Sequence, residues 1–323
     1  MRGALGEGTF APRAGEPLVF YGIGAMSDIC AALGLAAGTR LLTLHVDDVG
    51  MCHGANQAYL ELSKAGAVDT GSVMVPCPWF PEIAEAARRD RSLDLGVHLT
   101  LTSEWDGYRW RAISTTSPAS GLVDDDGYLP RNCLKLRARL VPEAAETEMR
   151  AQIERALASG IDMTHLDTHM GAALVPELLV ILLRLARTYR VPVLLPRNLA
   201  SYLDVLRLGA VDPAPYAAAV AALEAAGAPI VDQFRMTPGV ASAEVPEAYR
   251  ALLTHVPAGF TFVALHCNAP GEIESIVPGR AHWRTDEYRL FASGEPQRWL
   301  DEAGIARVGY RKLRELYRSA TAA

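Results

Sequence analysis

The residues of this sequence best suited to chemistry are carboxylates and imidazoles at the ends of apolar runs. Asp47-Asp48 closes the run from Leu41 to Val46, and His98 sits inside the run from Leu93 to Leu101. His165, Asp167 and His169 follow Met163, while Arg197 and His266 end two later runs. A single Asp at such a place more often caps a helix or forms a turn, and a single strand His is as often a hydrogen-bonded core residue. Recurrence at five separate strand ends is what marks a site. Two imidazoles and a carboxylate offer neutral nitrogen and hard oxygen donors. That set suits Zn²⁺, Mg²⁺ or Mn²⁺, with positions left open for water and substrate. The adjacent pair Asp47-Asp48 suggests that one carboxylate binds the ion and the other takes a proton from the water it activates. Neighbours in an extended segment point to opposite faces, so both reach one pocket only if the strand turns at its end.

The elements that must position these residues alternate. A strand over Leu41–Val46, a helix over Ala55–Ala65 closed by Gly66, a strand over Gly71–Val75, a helix over Pro81–Arg89 and a strand over Leu93–Leu101 open the series. Residues 102–142 then break it with Gly107, Pro118, Gly121, Gly127, Pro130 and Pro142, the pattern of a long functional loop. Alternation resumes with helices over 142–159, Pro176–Tyr189, Ala243–His255 and Asp286–Ala303. Strands are expected at Met163–Leu166, Val191–Leu195, Ile230–Phe234 and Phe260–His266. Residues 1–40, rich in Gly, Ala and Pro, read as an N-terminal arm with one short helix around Ser27–Leu35. The fold expected is α/β: a single distorted (β/α) barrel over residues 41–323 with a long loop after the third strand. An open doubly wound sheet is the alternative. No G-x-G-x-x-G follows the first strand and no G-x-x-x-x-G-K-[ST] occurs, so the usual nucleotide sites have no support.

Composition narrows the function further. Half of the 323 residues are hydrophobic and 21% are charged, which provides a sizeable core. Lys and Arg total 31 against 37 Asp and Glu, a net charge of −6 with no basic run, so nucleic acid is not an expected partner. The five cysteines are widely spaced and form no C-x-x-C pair, as expected of reduced thiols in a cytoplasmic protein. No apolar stretch reaches the ~18 residues of a membrane span, and the N-terminus lacks the apolar segment of a secretory signal. A homodimer is expected only because such assemblies are common.

Three segments carry a resemblance. Thr43-Leu44-His45-Val46-Asp47-Asp48-Val49-Gly50 resembles the strand-plus-DDxG opening of the YdjC-type (ChbG-like) carbohydrate deacetylases. Gly96-Val97-His98-Leu99-Thr100-Leu101-Thr102 is similar to their G-x-H-x-x-L-T motif, and Thr164-His165-Leu166-Asp167-Thr168-His169 to their T-H-x-D-S-H motif. Order and spacing agree from about residue 40 onward. The resemblance implies a hydrolase on a distorted barrel that uses a divalent ion, Mg²⁺ or Zn²⁺, to remove acetyl groups from N-acetylated mono- or oligosaccharides. Carried over by position, Asp48, His98 and His169 are the metal ligands and Asp47 is the general base. Arg197 falls where the family has an arginine near the base, and His266 matches a histidine suited to protonate the leaving amine.

The sequence also departs from the pattern. Met170-Gly171-Ala172-Ala173 follows His169 where further histidines are usual, and Cys267-Asn268-Ala269 separates His266 from Pro270. Both changes fall on the leaving-group side of the pocket. Trp105, Tyr108 and Trp110 in the long loop would either stack on sugar rings or anchor the loop to the barrel. Two alternatives stand beside the deacetylase. One is a barrel amidohydrolase with a non-sugar substrate, which would normally carry H-x-H where this chain has His45-Val46-Asp47. The other is a sugar-binding or regulatory protein without catalysis.

Overall fold

The short helix α1 (Ile29–Ala32) leads into β1 (Arg40–Val49), which grows from the first apolar run. The computed structural model describes residues 29–199, 203, 206 and 208–320. Most of the expected 1–40 arm therefore lies outside the described residues; from Ile29 on, the arm tucks Cys30 into the core. Then come α2 (His53–Lys64), β2 (Thr70–Val73), α3 (Phe80–Arg89) and β3 (Leu95–Leu99). The long loop follows, holding only a 3₁₀ turn at Pro118–Ser120 before α4 (Cys133–Arg137). The second half contains α5 (Pro142–Ala158), β4 (Met163–Thr168), a 3₁₀ segment at His169–Leu174, α6 (Pro176–Tyr189) and α7 (Pro213–Ala225). It continues through β5 (Gln233–Met236), α8 (Val245–Thr254), β6 (Gly259–Leu265), α9 (Ile273–Ile276) and α10 (Ala281–Ala292). Last come α11 (Glu295–Glu302), β7 (Ala306–Arg307) and α12 (Tyr310–Ala320).

Among the described residues the strands form one parallel seven-stranded sheet in the order β4-β3-β2-β1-β6-β5, with β7 also on β1. β2 covers β1 from His45 onward, and β7 covers Leu41 and Leu42 of the same strand. β1, β2, β3, β4 and β6 are buried along nearly their whole length, as parallel strands covered on both sides are. Leu42, Leu44 and Val46 pack into the large core shared with the helices. Leu41 joins an inner cluster with Phe260, Phe262 and Tyr310. Burying a large apolar side chain to this depth contributes about 1.5–3 kcal/mol. Alternation along β1 thus aims Leu41, Thr43, His45 and Asp47 at the inner face, apolar at the foot and ionisable at the top.

The alternating pattern predicts an α/β fold of parallel strands, and the described residues form one. Two expected elements differ. Val191–Leu195 forms no ladder; it makes isolated parallel bridges, Leu166 with Val193 and Pro196 with Val231. Pro192 and Pro196 lack the N–H groups that a continuous strand would donate. The helix expected over 286–303 is two helices, because Gly294 adopts φ 77° and Pro296 starts a new first turn. All five cysteines are buried. Among the described residues no helix is long and apolar enough to cross a membrane.

Candidate active site

The top of β1 solves the geometric problem posed by two adjacent aspartates. Its register with β2 shifts between Val46 and Val49, and Asp48 adopts φ 62°. Such a bulge re-aims a side chain, and Asp is among the few residues that enter the left-handed region readily. Asp48 is thereby turned to the face that Asp47 already occupies. Its Oδ1 lies 3.2 Å from His169 Nδ1 and 3.5 Å from His98 Nε2, and its Oδ2 lies 2.8 Å from Arg284 Nη1. Asp48 is buried, and neither oxygen finds an aligned hydrogen-bond partner among the described residues. Arg284 offsets its charge, yet the hydrogen-bonding capacity of both oxygens is left unused. Ligand atoms of Asp48, His98 and His169 all lie within 4.8 Å of one another. The donor set and the unpartnered oxygens fit a divalent ion.

Each imidazole is oriented by a carboxylate behind it. His98 Nδ1 lies 2.8 Å from Asp167 Oδ2, which also accepts from the Ser72 hydroxyl at 2.8 Å. That contact protonates Nδ1 and leaves Nε2 to face Asp48. His169 opens the 3₁₀ segment, where Met170 (φ 53°) and Gly171 (φ 68°) turn the chain away. Its Nε2 lies 2.9 Å from Glu104 Oε2. Burial alone would raise the pKa of Asp48, but Arg284 and His169 outweigh it and hold the carboxyl well below the usual range. Burial opposes a charged His169, yet Glu104 and Asp48 push it up to about 10. A proton on His169 and a cation compete for the same place. Asp167, despite its burial, is held down to about 2 chiefly by His98.

Asp47 stands beside this set. Its Oδ1 lies 2.6 Å from His45 Nδ1 and its Oδ2 lies 3.8 Å from His266 Nε2. His266 follows β6, and its Nδ1 is 2.8 Å from the Thr237 hydroxyl, which in turn donates to Glu287 at 2.7 Å. Burial first, and then Arg284, lowers the pKa of His266, so the ring is neutral at rest. Burial raises Glu287 to about 7.

These groups line an open cavity of about 890 Å³ at the C-terminal ends of the strands. Trp105 and Trp283 form part of its wall, with the Arg280 guanidinium 6.0 Å and 5.7 Å from their ring centroids. The other two loop aromatics do not line this cavity. Trp110 is buried, donates to the Thr102 carbonyl at 2.8 Å and packs edge-on against His169. The Tyr108 hydroxyl donates to the Met51 carbonyl at 2.6 Å.

Arg197 requires a correction. It bonds Asp232 at 2.8 Å and Glu224 at 2.7 and 2.8 Å, partly exposed and away from Asp47. The guanidinium that faces the carboxylates is Arg284, carried by α10. Arg197→Ala is therefore expected to leave kcat/KM within about twofold of wild type, as surface changes away from a site do. Steady-state kinetics checks this. Sequence reasoning also missed Glu104 and the orienting role of Asp167. Glu104 follows the third strand by only a few residues, and Asp167 lies between two histidines already noted. Arg284 leaves no such trace, because packing alone brings α10 to β1.

Residues 41–302 match the family described as YdjC-like protein. The chain belongs to the YdjC-like family. A carbohydrate deacetylase of Thermus thermophilus is 34% identical over 270 residues, 84% of this chain and 92% of the relative. A carbohydrate deacetylase of Brevibacillus brevis is 34% identical over 155 residues, 48% of this chain and 59% of that protein. A solved structure from Enterococcus faecalis, titled a cellobiose-phosphate cleavage protein, superposes with a TM-score of 0.67 at 24% identity. It covers 85% of this chain and 99% of the other, so this YdjC-like chain shares its fold.

Proposed function

We propose that this YdjC-like chain is a carbohydrate N-deacetylase that works with a divalent metal ion, Mg²⁺ or Zn²⁺. The observation that carries the reading is the convergence of Asp48, His98 and His169 on one point with Asp47 beside them. The relatives named carbohydrate deacetylase supply the substrate class. A divalent ion held by Asp48, His98 and His169 would supply Lewis-acid polarisation of the acetyl carbonyl and the attacking water. Asp47 takes a proton from that water on Oδ2 as the water's oxygen bonds to the acetyl carbon. His266 delivers a proton to the sugar nitrogen as the C–N bond breaks. Because His266 is neutral at rest, that proton must arrive during the reaction, and Asp47 at 3.8 Å is the neighbouring source. Arg284 keeps Asp48 ionised, and Trp105 and Trp283 offer apolar faces to a sugar ring.

The same reading takes the sheet as a distorted barrel over residues 41–323, preceded by the arm. The bridges at Val193 and Pro196, together with the Asp232 N–H to Phe260 carbonyl bond, would carry the ring from β4 round to β5 and β6. The deciding experiment is acetate release from a panel of N-acetylated mono- and oligosaccharides. Chelation is expected to abolish release, and Mg²⁺ or Zn²⁺ to restore it. Metal-loaded protein that frees acetate from none of them overturns the proposal.

A further inference from the structure

Behind Asp47 lies a row of polar side chains that takes no part in the steps above. His45 Nδ1 is 2.6 Å from Asp47 Oδ1, His45 Nε2 is 2.9 Å from His165 Nε2, and His165 Nδ1 is 2.9 Å from Thr164 Oγ1. His45, Thr164 and His165 are completely buried, so their polar atoms depend on one another.

Donors and acceptors must alternate along such a row. An ionised carboxylate only accepts, so His45 Nδ1 carries the proton. Burial, and then the neighbouring His45, holds the pKa of His165 well below the usual imidazole range. The two Nε2 atoms share one hydrogen bond, one ring donating and the other accepting. His165 Nδ1 pairs in turn with the Thr164 hydroxyl. A bare Nδ1 on His45 would turn a nitrogen lone pair toward the Asp47 carboxylate at 2.6 Å, so the proton at that end is fixed.

Packing fixes both rings. His165 lies 4.1 Å from the Tyr310 ring, and His45 lies 4.9 Å from Phe262. On β3, Gly96 leaves the space that the His165 imidazole fills: a Cβ there would come within 2.5 Å of Cε1.

We propose that His45 and His165 act as a hydrogen-bonded pair that positions Asp47, tethering Oδ1 and leaving Oδ2 to face His266 and the cavity. The inference rests on the reading of Asp47 as the base. The pair orients the carboxylate.

The test uses full-length, metal-loaded protein. His45→Leu fills the space of the ring without a donor, and is expected to lower kcat about 10–100-fold at unchanged KM and metal stoichiometry. His45→Asn presents an amide N–H to Asp47 and is expected to recover most of that loss. A readout independent of turnover is the ¹⁵N spectrum of histidine-labelled wild type, with His45 expected to carry a proton on Nδ1. This spectrum decides the matter if His45→Leu does not fold. A bare Nδ1 on His45 overturns the proposal. So does a His45→Leu enzyme with kcat near wild type beside an inactive Asp47→Asn, a result that leaves Asp47 as the base. An active Asp47→Asn removes the base itself, and the pair's role with it.

Discussion

Asp47→Asn is expected to fold, bind its divalent ion with wild-type stoichiometry and lose about 10²–10⁴-fold in kcat. The substitution keeps the shape of the side chain but removes the basicity of Oδ2, the oxygen that faces His266 and the cavity. Asp47 supplies none of the three ligand atoms that cluster around Asp48, so metal content and turnover should part company. Metal analysis paired with acetate-release kinetics measures both. Full activity in the variant would transfer the proton-accepting role elsewhere, and His266 would be the next group to examine.

Removing an imidazole ligand should have the opposite signature. In His169→Ala and His98→Ala, divalent-ion affinity is expected to fall by more than the ~10–100-fold typical of losing a ligand's hydrogen-bonding partner. The reason is geometric. Asp48 would be left with one imidazole and Arg284, and a cation would meet a guanidinium without enough donors to offset it. Isothermal titration with Zn²⁺ and Mg²⁺ reads the change, and circular dichroism confirms the fold. Unchanged affinity in either variant would remove that residue from the ligand set.

Much of this arrangement was legible in the sequence because apolar runs and their polar ends are local signals. The run before Asp47-Asp48, the histidine inside the third strand and the His165 to His169 segment each announce a strand and its functional tip. What stayed hidden depends on tertiary geometry. Nothing in the letters around Asp48 shows a non-glycine residue at φ 62° within a strand, yet that torsion turns both aspartates to one side. Val191–Leu195 has the composition of a strand, but its flanking prolines reduce it to bridges. Arg197 and Arg284 are alike as letters; one closes a surface ion pair, and the other is brought by a distant helix to the buried carboxylate. Among Trp105, Tyr108 and Trp110, loop conformation alone decides which one meets the cavity.

The last strand and helix give this part of the chain a task beneath the polar row behind Asp47. The Val308 carbonyl receives the Thr43 hydroxyl at 2.6 Å, and Arg314 grips Asp162 at the start of β4. Tyr310 packs beneath His165 with the two rings tilted by 30°. This segment is a stopper driven into the foot of the sheet. Trimming the chain behind Glu302, where the family match ends, would uncork Phe260 and Phe262 and let water rise toward the histidines.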